Sequence, residues 1–188
     1  MYSADVEIYA ALARAVESLG MRWYLFGAQA AILHGAVRFS EDIDITVDIA
    51  NQTYRVLIDA LRGEGFEPRF DDEGFIERTR VIPMVYKPTG TPVDVVLSGP
   101  GIEEVFFEGR IRVEIEKGLE VPVARAEDIV VMKILSARPK DLQDVSSILS
   151  ANISQFDDDR VRWLLGQLER ALDRNDLLSL FESHRAKR

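Results

Sequence analysis

The chain has 188 residues, of which 47% are hydrophobic and 29% charged, a composition typical of a folded protein with a substantial core. Its formal net charge of −9 argues against a nucleic-acid coat or an anionic-membrane binder, because both need a positive surface. The lack of cysteine excludes disulfides, thiolate metal sites and a cysteine nucleophile. No apolar run approaches the roughly 20 residues of a membrane span. Residues 1–10 lack the basic start and apolar centre of a secretion signal, so we expect a cytoplasmic protein.

The first two thirds of the chain mix helical and strand patterns, whereas the last third has helical patterns only. In chain order we predict a helix at 4–19, strands at 23–26 and 42–49 separated by a helix at 28–34, a helix at 52–63, a charged loop or hairpin at 67–80, strands at 81–86 and 93–97, a helix at 101–108, strands at 111–116 and 119–123, and helices at 126–137, 140–151, 157–172 and 175–185. This order predicts two regions, a core over 1–124 and a helical region over 125–188 packed on it.

Residues 42–49 alternate strictly between acidic or polar and apolar side chains, the clearest strand pattern in the chain. Asp42 and Asp44 therefore lie on one face, roughly 6–7 Å apart along the strand. Neighbouring carboxylates repel each other unless a cation lies between them, and Mg²⁺ prefers oxygen ligands. Asp94 interrupts an apolar strand and would supply a third carboxylate if that strand pairs beside 42–49.

Two simpler explanations compete with a metal site. The strand at 42–49 could present its polar face to water, and Asp94 could be a surface charge on an edge strand. The segment before the strand favours the metal site. Gly27 follows a buried strand and opens a helix, where free backbone N–H groups can hold phosphate and glycine allows close approach.

This series resembles the nucleotidyltransferase superfamily with the DNA polymerase β-like fold. That superfamily has Gly followed by Gly or Ser, then Asp-x-Asp or Asp-x-Glu, with a third carboxylate on a later strand. Here Gly27 is followed by Ala28, and thirteen residues separate Ala28 from Asp42. His34-Gly35, Arg38 and Ser40 also resemble the segment that leads into Asp-Ile-Asp in the AbiEii/AbiGii toxin group.

A second motif strengthens the resemblance. The segment 133–145 resembles the downstream motif of the toxin group, in which a helical Lys precedes an Arg/Lys-Asp-x-x-Asp segment. Lys133, Asp141 and Asp144 occupy the matching positions. Together the motifs span about residues 23–150. The resemblance implies an α/β (α+β) nucleotidyltransferase fold, with a mixed β-sheet flanked by helices and followed by a small C-terminal helical region.

The resemblance also implies a reaction. An Mg²⁺-dependent enzyme, with Mn²⁺ as an alternative cofactor, would move NMP from an NTP to an acceptor hydroxyl and release pyrophosphate. Asp42, Asp44 and Asp94 would be the catalytic residues and metal ligands, and Asp94 would also take the proton. Gly27, Ala28, Arg38, Ser40, Lys133 and Asp141 would bind the substrate.

Other roles remain open for several of these residues. Lys133 could be a structural lysine whose stem lies on the core. Asp141 could orient Lys133 or Arg138, or simply favour a helix start. Arg38 could anchor the loop before the acids, and Ser40 could cap a turn. Ala28 keeps the backbone N–H but lacks the hydroxyl of the family's serine.

The expected partners are an NTP, an acceptor and a cognate antitoxin, with no membrane. A tRNA 3′ end, a protein hydroxyl and a small molecule such as an aminoglycoside are the candidate acceptors. The alternative function is a catalytically degenerate member that acts as a nucleotide- or protein-binding, antitoxin-like module. A purely structural domain with solvated carboxylates is a third hypothesis.

Overall fold

A computed structural model of the chain describes residues 3–70, 72–151 and 156–186. It divides the protein into two compact units. The first unit comprises Met1–Gln29 and Ser40–Ala124, and the second comprises Ala30–Phe39 and Arg125–Arg188. The sequence did not indicate that residues 30–39 belong with the helical region.

Helices and strands alternate through the first unit, and helices make up the second. The helices are α1 (Ser3–Ser18), α2 (Gly27–Leu33), α3 (Tyr54–Gly63), α4 (Glu73–Thr79), α5 (Ile102–Gly109), α6 (Ala126–Ser136), α7 (Pro139–Ser150), α8 (Asp158–Leu172) and α9 (Leu177–Arg185). The strands are β1 (Arg22–Phe26), β2 (Ile43–Asp48), β3 (Phe66–Pro68), β4 (Val81–Tyr86), β5 (Thr91–Leu97), β6 (Ile111–Glu116) and β7 (Leu119–Val123).

The strands of the described residues form one sheet in the order β3-β4-β5-β2-β1-β7-β6. β2 runs antiparallel to β1 and parallel to β5, so the centre of the sheet is mixed. The outer pairs β3–β4, β4–β5 and β6–β7 are antiparallel. The predicted mixed sheet with flanking helices is confirmed.

β2 shows how alternation places the acidic residues. Ile43, Ile45 and Val47 are fully buried on one face, while Asp44 and Asp48 are partly exposed on the other. Thr46, on this second face, is nevertheless only 3% exposed. Its register partner Tyr24 packs edge-on against Phe107 of α5, with ring centroids 4.8 Å apart. The middle of this face is therefore covered, and the end at Asp44 stays accessible.

Amphipathic and buried helices build the second unit. The predicted stripe of α8 is buried at Val161, Leu164, Leu165 and Leu168, which removes apolar side chains from water. Asp157 caps α8 by accepting a hydrogen bond from the N–H of Arg160. Residues 30–39 approach the end of α7 closely, because a Cβ on Gly35 would lie 2.5 Å from the Cβ of Ala151.

The sequence-based elements match the observed ones closely except over 67–80. That segment contains β3 and α4, with Arg80 ending α4 in a left-handed conformation. β3 has three residues, too few for an alternation pattern to show. None of the helices in the described ranges is both long and apolar enough to cross a membrane.

Candidate active site

A row of polar side chains crosses one edge of the sheet in the first unit. Asp44 on β2 is the register partner of Asp94 on β5, so the two acids lie side by side on adjacent parallel strands. Pro83 on β4 is the next partner beyond Asp94, and its carbonyl accepts a hydrogen bond from the N–H of Arg69. The strand pairing that was needed to bring Asp94 beside the other acids is therefore present. Asp42 is exposed and lies immediately before β2.

Gly27 packs directly under the carboxylate of Asp44. Phe26, its chain neighbour, is the register partner of Asp44 across the β1–β2 pair. A Cβ on Gly27 would lie 2.0 Å from Oδ2 of Asp44, and the φ angle of Gly27 is +67°. Both facts favour glycine, since L side chains rarely adopt this φ and an added Cβ would overlap the carboxylate unless Asp44 moved. The strand-to-helix turn predicted at Gly27 thus lies against the acids.

The carboxylate of Asp94 forms an ion pair with the guanidinium of Arg69. Both side chains are 38% exposed, so the pair is accessible to solutes. Burial raises the pKa of Asp94, the charge of Arg69 opposes this, and the negative charge of Asp42 raises it further. The net direction is a pKa of Asp94 above its usual value.

The donor set suits a hard divalent cation, because Asp44 and Asp94 offer carboxylate oxygens, the ligands that Mg²⁺ prefers, on paired strands. In the described residues, however, no three acidic or histidine side chains lie close enough together to hold a metal ion. Asp94 is directed to Arg69. A site formed by all three acids would require Asp94 to leave that partner. The metal role of Asp42, Asp44 and Asp94 stays a prediction.

Two further predicted substrate residues lie in the first unit. Ala28 is the second residue of α2 and is partly exposed. The carbonyl of Ser40 accepts a hydrogen bond from Nε2 of Gln29 at 2.8 Å, which ties the segment before Asp42 to α2. The backbone carbonyl of Ser40 is thus what this hydrogen bond fixes. Phosphate binding by Gly27, Ala28 and Ser40 stays a prediction.

The second unit brings the other predicted substrate residues together in an ionic network with a buried centre, which we call the Lys133 cluster. The ammonium of Lys133 lies 2.6 Å from Oδ2 of Asp144 and 3.2 Å from Oδ1 of Asp141, and Lys133 is 6% exposed. Arg38 donates to Asp144 at 2.9 Å, and Arg138 donates to Asp141 at 2.5 Å. The cluster consists of Arg38, Lys133, Arg138, Asp141 and Asp144.

The buried lysine and aspartates of this cluster each lie beside groups of opposite charge, which offsets the cost of burying them. Burial alone would raise the pKa of Asp141, but hydrogen bonds from Arg138 and Ser136, together with Lys133, lower it below its usual value. Asp141 thus orients both Lys133 and Arg138, one of the possibilities left open by the sequence. The contact of Arg38 with Asp144 is the one expected if Arg38 anchors its loop. Phosphate binding by Arg38, Lys133 and Asp141 stays a prediction.

Sequence reasoning missed Arg69 as a member of the site. Arg69 lies in a stretch rich in charged residues, and its partner is 25 positions away. The available signal was Pro68-Arg69 at the end of a short strand next to the Asp94 hairpin. That signal is visible only once the β3–β4–β5 order is known.

Solved structures show that this fold is the one found in nucleotidyltransferases. An antigenic nucleotidyltransferase-like protein from Paracoccidioides brasiliensis has a TM-score of 0.60 at 21% identity, covering 97% of this chain and 94% of that one. The solution structure of the antibiotic-resistance factor ANT(2″)-Ia has a TM-score of 0.61 at 15% identity, with both chains fully covered. A crystal structure of ANT(2″)-Ia in complex with adenylyl-2″-tobramycin has a TM-score of 0.53 at 13% identity, covering 98% and 99%.

The family follows from the sequence itself. The family described as nucleotidyl transferase AbiEii toxin, type IV toxin–antitoxin system, matches residues 10–186. The chain belongs to this family and is a nucleotidyltransferase, so the resemblance stated from the motifs is confirmed. No curated protein sequence gives a significant match to the chain.

Proposed function

We propose that this nucleotidyltransferase requires a divalent metal ion, Mg²⁺ or Mn²⁺, and transfers NMP from an NTP to an acceptor hydroxyl with release of pyrophosphate. The observation that carries the proposal is the adjacency of Asp44 and Asp94 on paired strands, with Gly27 against the Asp44 carboxylate, at an accessible part of the sheet face. When bound, the metal would stabilise charge on the phosphates and lower the pKa of the acceptor hydroxyl.

The residues of the first unit have distinct roles in this proposal. Asp42 and Asp44 would hold the metal, and Asp94 would complete the set and accept the proton of the attacking hydroxyl. Gly27 leaves room for the Asp44 carboxylate and, with Ala28, offers backbone N–H groups to the phosphates. The attacking oxygen forms a bond to the α-phosphorus while the bond to the pyrophosphate oxygen breaks.

The family description supports a toxin role for the chain, opposed by a cognate antitoxin. We propose a tRNA 3′ end or a protein hydroxyl as the acceptor. The aminoglycoside in the ANT(2″)-Ia complex makes a small molecule the third candidate. The net charge of −9 disfavours wide contact with RNA, which limits an RNA acceptor to contact through its end.

The test is transfer of label from each α-labelled NTP to total tRNA, to cell protein and to tobramycin, with and without Mg²⁺ or Mn²⁺. We expect incorporation into one acceptor class only when metal is present. Asp44→Asn should lower the rate at least about 100-fold, because it removes charge where the metal binds. Glu41→Gln is the matched control, since Glu41 is exposed and lies next to Asp42 but is not one of the three proposed metal ligands.

A second function is favoured by one observation. Asp94 is engaged by Arg69, and no three acids of the described chain are assembled around a metal position. A degenerate member acting as a nucleotide- or protein-binding module would show this arrangement permanently. It would bind its partner equally well with and without Asp44→Asn, and it would transfer no label to any acceptor.

A further inference from the structure

Arg69 is held in line with the acids by the sheet itself. Its backbone N–H donates to the carbonyl of Pro83 at 2.8 Å, directly after β3 ends. Pro83 is the register partner of Asp94, and Asp94 is the register partner of Asp44. The position of Arg69 therefore follows from strand register, and its guanidinium reaches the carboxylate of Asp94.

This ion pair gives the carboxylate of Asp94 a cationic partner within the protein. An oxygen that accepts from a guanidinium has less capacity to ligate a divalent cation, so Arg69 and the cation compete for Asp94. The competition is reversible, because both side chains are more than one-third exposed and such pairs are weak.

A displaced Arg69 would keep its charge, since a guanidinium does not lose its proton in proteins. Its planar donors match phosphate oxygens as well as carboxylate oxygens. Its backbone bond to Pro83 keeps it at the same edge of the sheet as Asp44. A nucleoside triphosphate bound at the acids would be the anion within its reach.

We propose that Arg69 is a positioning residue that holds Asp94 while no divalent cation is bound, and that Arg69 exchanges Asp94 for a phosphate oxygen of the nucleotide when Asp94 turns to the cation. This inference rests on the proposed function. It predicts opposite effects of removing Arg69, with tighter binding of the cation alone and weaker binding of the nucleotide.

The experiment measures Mn²⁺ binding by electron paramagnetic resonance, first without nucleotide and then with an NTP analogue whose α,β bridge cannot be cleaved. Arg69→Gln should bind Mn²⁺ about fivefold more tightly and the analogue about fivefold more weakly than wild type. Arg69→Lys should restore part of both changes. Arg55→Gln is the matched control, because Arg55 makes an exposed ion pair with Glu73 in the same unit.

The outcomes separate this inference from the proposed function. Mn²⁺ binding by wild type with unchanged affinity in Arg69→Gln overturns the exchange alone. Unchanged affinity for the analogue overturns its phosphate step. A wild-type protein that binds no Mn²⁺ and transfers no label overturns both proposals. Arg69→Gln could change thermal stability while its affinities for Mn²⁺ and for the analogue stay as in wild type. That result would assign Arg69 a structural role only and would also overturn the exchange.

Discussion

Gly27 is the residue whose replacement should harm the site most directly without removing a functional group. In Gly27→Ala, the new Cβ meets the Asp44 carboxylate and the positive φ becomes strained. We expect about 3 kcal/mol of lost stability from strain plus overlap. Nucleotide transfer should fall because Asp44 must move. Urea denaturation and a transfer assay on the same variant check this prediction.

Gly20 provides the control for Gly27. It has the same φ of +67°, but nothing lies within 4 Å of its added Cβ. Gly20→Ala should therefore cost about 1 kcal/mol from backbone strain alone and leave transfer intact. Equal losses of stability in the two variants would contradict a special contact between Gly27 and Asp44.

At the scale of single elements, the Lys133 cluster joins α6 to α7 through buried charges. Lys133→Met removes the shared cation of Asp141 and Asp144, and each acid keeps one arginine partner. We expect about 3 kcal/mol of lost stability, measured by denaturation, because burial makes an incompletely compensated carboxylate costly. Lys140→Met, at an exposed position of α7, should change stability by less than about 0.5 kcal/mol.

Nucleotide affinity tells whether Lys133 also contacts phosphate. The network already supplies Lys133 with two carboxylate partners, so a structural variant should lose stability and keep its nucleotide Kd at temperatures where it is folded. A large rise in Kd for the folded Lys133→Met protein would support the phosphate role that the family resemblance implies.

Asp128 on α6 should make the free energy of unfolding depend on pH. Asp128 is fully buried against Arg160, and burial raises the pKa of Asp128 to about 6 despite that partner, from 3.8. Between these values the folded protein binds more protons than the unfolded chain. Protonated Asp128 therefore stabilises the folded protein fully below pH 3.8. This stabilisation is lost as the pH rises through 6.

The corresponding measurement is the free energy of unfolding from pH 4 to 7.5, compared with Asp128→Asn. Wild type should lose about 2.4 kcal/mol more than the variant over this range. The comparison cancels the titration of groups common to both proteins. Parallel pH profiles for the two proteins would show that Asp128 does not titrate with a raised pKa.

At the scale of the whole molecule, ligand linkage offers a test that needs no acceptor. A ligand that binds only the folded state raises the unfolding temperature. We expect wild type to be stabilised by Mg²⁺ plus the preferred NTP, by about 2.7 kcal/mol at one hundred times Kd. Thermal unfolding with each of the four NTPs would identify the base preference. Asp42→Asn should lose the shift, and Glu41→Gln should keep it.

Much of the fold could be predicted because its signals are local. The alternation in β2 and the apolar stripe of α8 each lie within one short stretch of sequence, and both were predicted. The pairing of Asp44 with Asp94 required the family resemblance or the sheet order. The ion pair of Arg69 and the double partnership of Asp144 depend on contacts between distant segments, for which a single sequence carries no periodic signal.

The second unit combines two distant segments of the chain, and this has a consequence for its folding during synthesis. Residues 30–39 belong with helices that begin after residue 125, and Arg38 finds Asp144 across 106 positions. At ribosomal speeds of about 5–20 residues per second, that partner is synthesised roughly 5–20 s after Arg38. The nascent chain thus carries Asp42 and Asp44 well before Asp144, the anchor of the preceding loop, has been synthesised.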